Sequence, residues 1–154
     1  GVKKAKTQEE YKELVTKMLK ESELIIAQQF TPSDYDWRIG VLDGKAFYAC
    51  RYYMAKGHWQ IYNWSAKKKD DQDGNADAMA LEKVPEKVLD LALRSAKLMG
   101  DGLYGIDVKQ INGEALVIEI NDNPNIDFGV EDAFYGEEVY KSIITALKNR
   151  LEKK

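Results

Sequence analysis

Apolar and polar positions alternate along this chain in two different rhythms. Tyr11, Leu14, Val15, Met18 and Leu19 recur at the three-and-four spacing of one helix face. Thr7-Gln8-Glu9-Glu10 precedes them as a capping box, so residues 8–21 are expected to form an amphipathic helix. Leu24 to Phe30 contains Leu-Ile-Ile-Ala and reads as a buried strand, closed by the turn residues Thr31-Pro32-Ser33-Asp34. Two strands follow, Trp37 to Leu42 and Lys45 to Met54, joined by Asp43-Gly44. A second helix starts at Pro85, with Val88, Leu91, Ala92, Leu98 and Met99 as its buried stripe and Gly100 as its C-cap. A second hairpin turns at Asn112-Gly113 and ends at Asn121. Asn123-Pro124-Asn125 breaks that strand, residues 123–135 form a loop, and a last helix runs from Gly136 to Leu151 with Val139, Ile143, Ala146 and Leu147 inward. The order helix, strand, hairpin, loop, helix, hairpin, helix predicts an α+β fold, an antiparallel sheet with helices packed on it. No repeat or linker divides residues 1–154, which read as a single domain.

The second hairpin carries the densest chemistry. Glu119 and Asn121 stand two apart on one strand and so share a face. Whether Asp107 joins them depends on the turn. A two-residue Asn-Gly turn would pair Ile111 with Glu114 and set Asp107 opposite Ile118, on the wrong face. The apolar pattern argues otherwise. Tyr104, Ile106 and Val108 on one strand and Leu116, Ile118 and Ile120 on the other are all even-numbered. If both sets face one core, opposed residues must sum to an even number. That predicts a three-residue loop, pairing Gln110 with Glu114, with Gly113 as the positive-φ residue of a bulge. Asp107, Glu119 and Asn121 then converge. Such a face is either the solvated side of a half-buried hairpin or a cradle for a hard divalent cation, and three converging oxygen donors favour the cradle.

In the first hairpin, a two-residue turn pairs Leu42 with Lys45 and places Asp36 opposite Arg51, with Arg38 diagonal to both. Taken alone this is a surface ion pair. Arginine forks beside a sheet edge also suit phosphate oxygens. Residues 55–75 are the least regular segment. Trp59, Tyr62 and Trp64 come first, then Lys67-Lys68-Lys69, then Asp70, Asp71 and Asp73, which reads as a solvated loop.

Composition narrows the function classes. A formal net charge of −3 argues against nucleic acid or an anionic membrane as partner. The lone Cys50 excludes an internal disulfide and suits a reducing, cytoplasmic setting. The lone His58 supplies neither a histidine zinc site nor a Ser-His-Asp triad. No apolar run reaches transmembrane length, and no signal-peptide pattern opens the chain.

Three stretches together, GIDVKQINGEALVIEINDNPN, the preceding AQQF and DWRIGVLDGKAFYACRY, and the helix between the hairpins, resemble the ATP-grasp superfamily. Within it they are most similar to RimK-type ribosomal-protein glutamate ligases and glutathione synthetases. The resemblance implies an ATP-grasp C-terminal subdomain, truncated, since the lysine-bearing strand and glycine-rich loop that cover the phosphates have no counterpart here. It implies a ligase that uses ATP and magnesium (two ions, with manganese as a substitute) to join a carboxylate to an amine through an acyl phosphate. The carboxylate substrate and amine acceptor would be drawn from amino acids, peptides and a protein C-terminus. By resemblance, Asp107, Glu119 and Asn121 are the metal ligands, and Arg38 and Arg51 stabilise the transferred phosphoryl group. Gln28, Gln29, Phe30, Asp36, Arg38 and Asn63 contact the nucleotide. Gln29 stands where the RimK type commonly has glutamate, and the loop around Asn63 is longer than in the family. The expectation is a fragment inactive alone. The alternative is a stand-alone nucleotide- or magnesium-binding module, or an interaction domain using Trp59, Tyr62 and Trp64.

Overall fold

The computed structural model describes residues 2–68 and 71–152, so Lys69 and Asp70 of the expected charged loop lie outside the described residues. The chain forms two compact units, Gly1–Pro32 and Ser33–Lys154.

In the first unit, helix α1 spans Gln8–Met18. Thr7 is its N-cap, and its Oγ1 accepts the Glu10 N–H at 3.2 Å. The helix stops short of residue 21 because the chain coils back, the N–H groups of Leu19 and Ser22 bonding to the carbonyls of Val15 and Met18. The buried strand expected over Leu24 to Phe30 is not formed. The segment joins no ladder among the described residues, and Leu24 and Ile26 are 78% and 82% exposed. An apolar run becomes a buried strand only when a neighbouring strand takes up its backbone hydrogen bonds.

The second unit is built on a five-stranded antiparallel sheet in the order β3-β2-β1-β4-β5. Its strands are β1 (Tyr35–Leu42), β2 (Lys45–Tyr53), β3 (Ala76–Met79), β4 (Leu103–Ile111) and β5 (Glu114–Asn121). The short edge strand β3 falls in a stretch without a strand signal in its sequence; its ladder on β2 creates it. Helix α2 (Glu86–Met99) buries Val88, Ala92 and Ala96 against Trp37, Ile39, Ala49, Ile106 and Val108 on one face of the sheet. Leu98 and Met99, expected inside, are exposed; the buried stripe ends at Ala96. Helix α3 (Glu137–Glu152) covers the other face, with Val139 and Ile143 over Tyr48 and Cys50, while Leu147 is exposed.

Both hairpins close with two-residue turns in which both central residues have positive φ: Asp43 and Gly44 at 50° and 72°, Asn112 and Gly113 at 52° and 79°. The three-residue loop expected at Asn112-Gly113 is therefore replaced by a tighter turn, and Ile111 pairs with Glu114. Near this turn Ala115 and Val117 face the core, and Leu116 is exposed. A bulge at Ile118 then resets the strand, so Asp107 pairs with Glu119 and Ile106 with Ile120. The even-sum pairing that the apolar pattern required is reached, by a bulge in mid-strand. The first hairpin also carries a bulge, between Gly40 and Val41. It sets Trp37 opposite Arg51 and Asp36 opposite Tyr52, correcting the expected Asp36–Arg51 pairing.

Candidate functional site

With those registers, one face of the sheet gathers Asp36 and Arg38 from β1, Tyr48, Cys50 and Tyr52 from β2, Asp107 and Lys109 from β4, and Glu119 and Asn121 from β5. Arg38 lies directly opposite Asp107 and grips it through both fork nitrogens, Nε to Oδ1 and Nη2 to Oδ2 at 2.8 Å. The pair is largely buried. Burial pushes the Asp107 carboxyl upward from its ordinary range, the Arg38 contact opposes that rise, and Glu119 adds to it. Asp107 also pairs with Glu119, and Asn121 pairs with Gly105 two residues further along. The expected metal ligands thus share one face on adjacent strands. Two carboxylates and an amide oxygen are hard donors and fit a divalent, oxygen-seeking ion. Among the described residues, no group of three or more His, Cys, Asp or Glu side chains assembles a metal site by itself.

Beside Asp107 lies a cleft of about 180 Å³, lined among others by Arg38, Tyr52, Tyr62, Asn121, Pro124 and Asp127. Gly105 makes room for it: a Cβ there would stand 2.7 Å from Pro124 Cβ and 3.1 Å from Arg38 Cδ. The Arg38 guanidinium sits 5.3 Å from the centre of the Tyr52 ring. Tyr52 in turn donates its hydroxyl to Glu131 Oε1, and Glu131 Oε2 accepts the Asp127 N–H at 2.7 Å. Glu131 is fully buried, so one carboxylate ties the loop after β5 to the sheet. Asp132 continues the fastening by accepting from Gly129 N and Tyr140 Oη at 2.6 and 2.9 Å. Sequence reasoning missed Glu131, since an acid in a polar loop carries no mark of burial.

Arg51 projects from the opposite face, where it grips Asp77 at 2.6 Å and packs beside Tyr35, Trp37 and Tyr53. The bulge in the first hairpin is the reason, so Arg51 does not join Arg38. Asp36 shares the site face, but its Oδ1 accepts from Lys109 Nζ at 2.6 Å and Ser33 Oγ at 3.0 Å. Lys109, unforeseen in the sequence, is thereby a buried partner that orients β1 against β4. Asn63 turns its side chain to Ser65, accepting from its N–H and hydroxyl at 3.2 and 2.7 Å, and neighbouring Ile61 and Tyr62 line the cleft instead. Gln28, Gln29 and Phe30 belong to the first unit, where Lys4 Nζ lies 3.1 Å from the Phe30 ring centre.

The sequence profile of the family described as D-ala D-ala ligase C-terminus matches residues 1–127. No curated protein matches the chain. Among solved structures it resembles the D-alanine–D-alanine ligase of Bacillus anthracis complexed with ATP. The identity is 17% and the TM-score 0.68, over 100% of this chain and 53% of the ligase. It also resembles the ATP-grasp ligase PsnB complexed with a minimal precursor, at 20% identity and a TM-score of 0.51, over 77% of this chain and 37% of PsnB. The chain thus spans about half the length of one solved ligase and less of the other. The five-stranded antiparallel sheet with its helices is the fold these ligases share.

Proposed function

The chain belongs to the D-ala D-ala ligase C-terminus family within the ATP-grasp superfamily, and from that premise we propose that it is the C-terminal part of an ATP- and magnesium-dependent ligase. The reaction we propose joins a carboxylate to an amine through an acyl phosphate, with the RimK-type and glutathione-synthetase branch as the proposed subgroup. One observation carries this reading: Asp107 lies opposite Glu119, with Asn121 on the same face and Arg38 gripping Asp107.

Phosphoryl transfer asks the protein chiefly for position and charge neutralisation. Asp107, Glu119 and Asn121 would hold the metal, which when bound neutralises charge on phosphate oxygens. Arg38 offers a planar fork at the cleft, suited to the oxygens of the transferred group. The Tyr52 ring and Gly105 set its course. Asp36 and Lys109 hold β1 and β4 in register from one turn of the pleat away. Gln28, Gln29 and Phe30 remain the proposed adenine contact. The carboxylate and amine partners are drawn from amino acids, peptides and a protein C-terminus, and the lone Cys50 is compatible with a reducing cytosol.

The test is a titration with Mn2+ as a paramagnetic substitute. Glu119→Gln should weaken binding by at least about tenfold, the scale on which even the outer partners of metal ligands act. Equal affinity in the wild-type and variant chains would remove the metal site and the reading with it. The 154-residue chain alone should form no amide; product from it would overturn the proposed fragment.

A further inference from the structure

We propose that the cleft beside Arg38 receives a primary ammonium group of the substrate at Asp127; this rests on the ligase reading of the same site and adds which end of the substrate lies there. Of the nine described residues that line the cleft, only Arg38 and Asp127 carry full charges. The Arg38 charge is already matched by the two-point contact with Asp107. The Asp127 carboxylate takes no hydrogen bond or ion pair among the described residues; only its backbone is engaged. Before the proposed metal and phosphate arrive, the uncompensated charge of the cleft is therefore negative.

The other lining groups agree. Asn123 and Asn125 line the cleft with Asp127 and carry amide oxygens that can accept from N–H donors, and Tyr62 adds an aromatic ring to the lining. An ammonium head has three donors and no acceptor, and this wall supplies acceptors and an aromatic ring. A carboxylate at the same place would face Asp127, with Glu131 behind it and Glu119 on the neighbouring strand.

Asp127 is also held in advance. Its N–H is fixed by the fully buried Glu131 at 2.7 Å, and its carbonyl accepts the Val130 N–H at 3.1 Å. A carboxylate on a fastened backbone loses less freedom when it binds. The volume of about 180 Å³ is that of about six waters, enough for an aminoacyl-sized group.

The experiment is an amide-resolved NMR titration of the whole 154-residue chain with two probes, glycinamide (an ammonium without a carboxylate) and acetate (the reverse). Glycinamide should shift the amides of residues 125–127 along a saturable curve, and acetate should not. Asp127→Asn should weaken glycinamide by about tenfold, as expected for losing a hydrogen bond to a charged group, and Asp127→Glu should restore most of it. Unchanged binding by the Asn variant, or acetate saturating those amides at lower concentration than glycinamide, would overturn the proposal. A parallel Mn2+ titration separates the two claims. Broadening at residues 119–121 without glycinamide binding removes the ammonium site and leaves the metal site. Glycinamide binding without that broadening removes the ligase reading and leaves the ammonium site.

Discussion

The two hairpins of the sheet start alike and diverge halfway. Each closes with a two-residue turn of positive φ, and each is interrupted by a bulge. In β4–β5 the bulge brings Glu119 and Asn121 round to Asp107. In β1–β2 it carries Arg51 away from Arg38, onto the face covered by α2. A turn therefore fixes register only up to the first bulge, and side-chain demands beyond it decide the rest. In β5 those demands are sharp, because Glu119 and Asn121 cannot follow Ile120 into the core. In β2 both faces are largely apolar or aromatic, with Arg51 the one charge inside the strand, so neither register stands out.

The strongest way to break the contrast is to insert one alanine between Asp107 and Val108. The extra residue would stand opposite Ile118 and remove the bulge, so Asp107 and Glu119 must turn towards α2 or the strand must slip. We expect a loss of at least about 4 kcal/mol, in the range of the severest single changes, read as a fall in the urea midpoint. Retained stability with Mn2+ affinity unchanged would show that the bulge is dispensable. Next in size is Arg38→Ala, which leaves the buried Asp107 carboxylate without its counter-charge beside Glu119. About 3–5 kcal/mol should be lost, measured the same way.

The α3-covered face offers a pH test. Burial is the first cause that raises Tyr48, Cys50 and Tyr52 above their ordinary values, and Cys50 is pushed up to about 12. Each group keeps its proton more tightly folded than unfolded. The unfolded chain therefore loses protons first as pH rises. Stability should hold below about pH 9 and then fall through the alkaline range, by about 1.4 kcal/mol per pH unit for each group titrating only when unfolded. A flat profile between pH 9 and 11 in chemical denaturation would contradict this. The smallest effect belongs to Arg51→Ala. Its pair with Asp77 is 31% and 42% exposed, so the cost should stay near 1 kcal/mol, with Mn2+ affinity unchanged. A drop in metal affinity would return Arg51 to the site.

Much of the fold was legible because local signals agreed. Thr7 caps its helix, Asp43-Gly44 and Asn112-Gly113 turn their hairpins, and the apolar parity of β4 against Ile120 anticipated the facing of Asp107 and Glu119. What stayed hidden depended on long-range partners. Leu24 to Phe30 has a strand's composition and no ladder among the described residues. β3 has a ladder and no strand composition. Lys109 and Glu131 are charged residues whose burial is created by Asp36, Ser33, Tyr52 and the Asp127 backbone, each remote or irregular in sequence.

The grip of Arg38 on Asp107 has a consequence for the proposed ligands. A cation taking Asp107 by itself would strand a buried guanidinium, and an anion drawing Arg38 away would strand a buried carboxylate. When both arrive together, each satisfies one released partner. The ion pair then behaves as a coincidence detector: it resists either ion alone and yields to the two combined, so each ligand should raise the affinity of the other by the same factor.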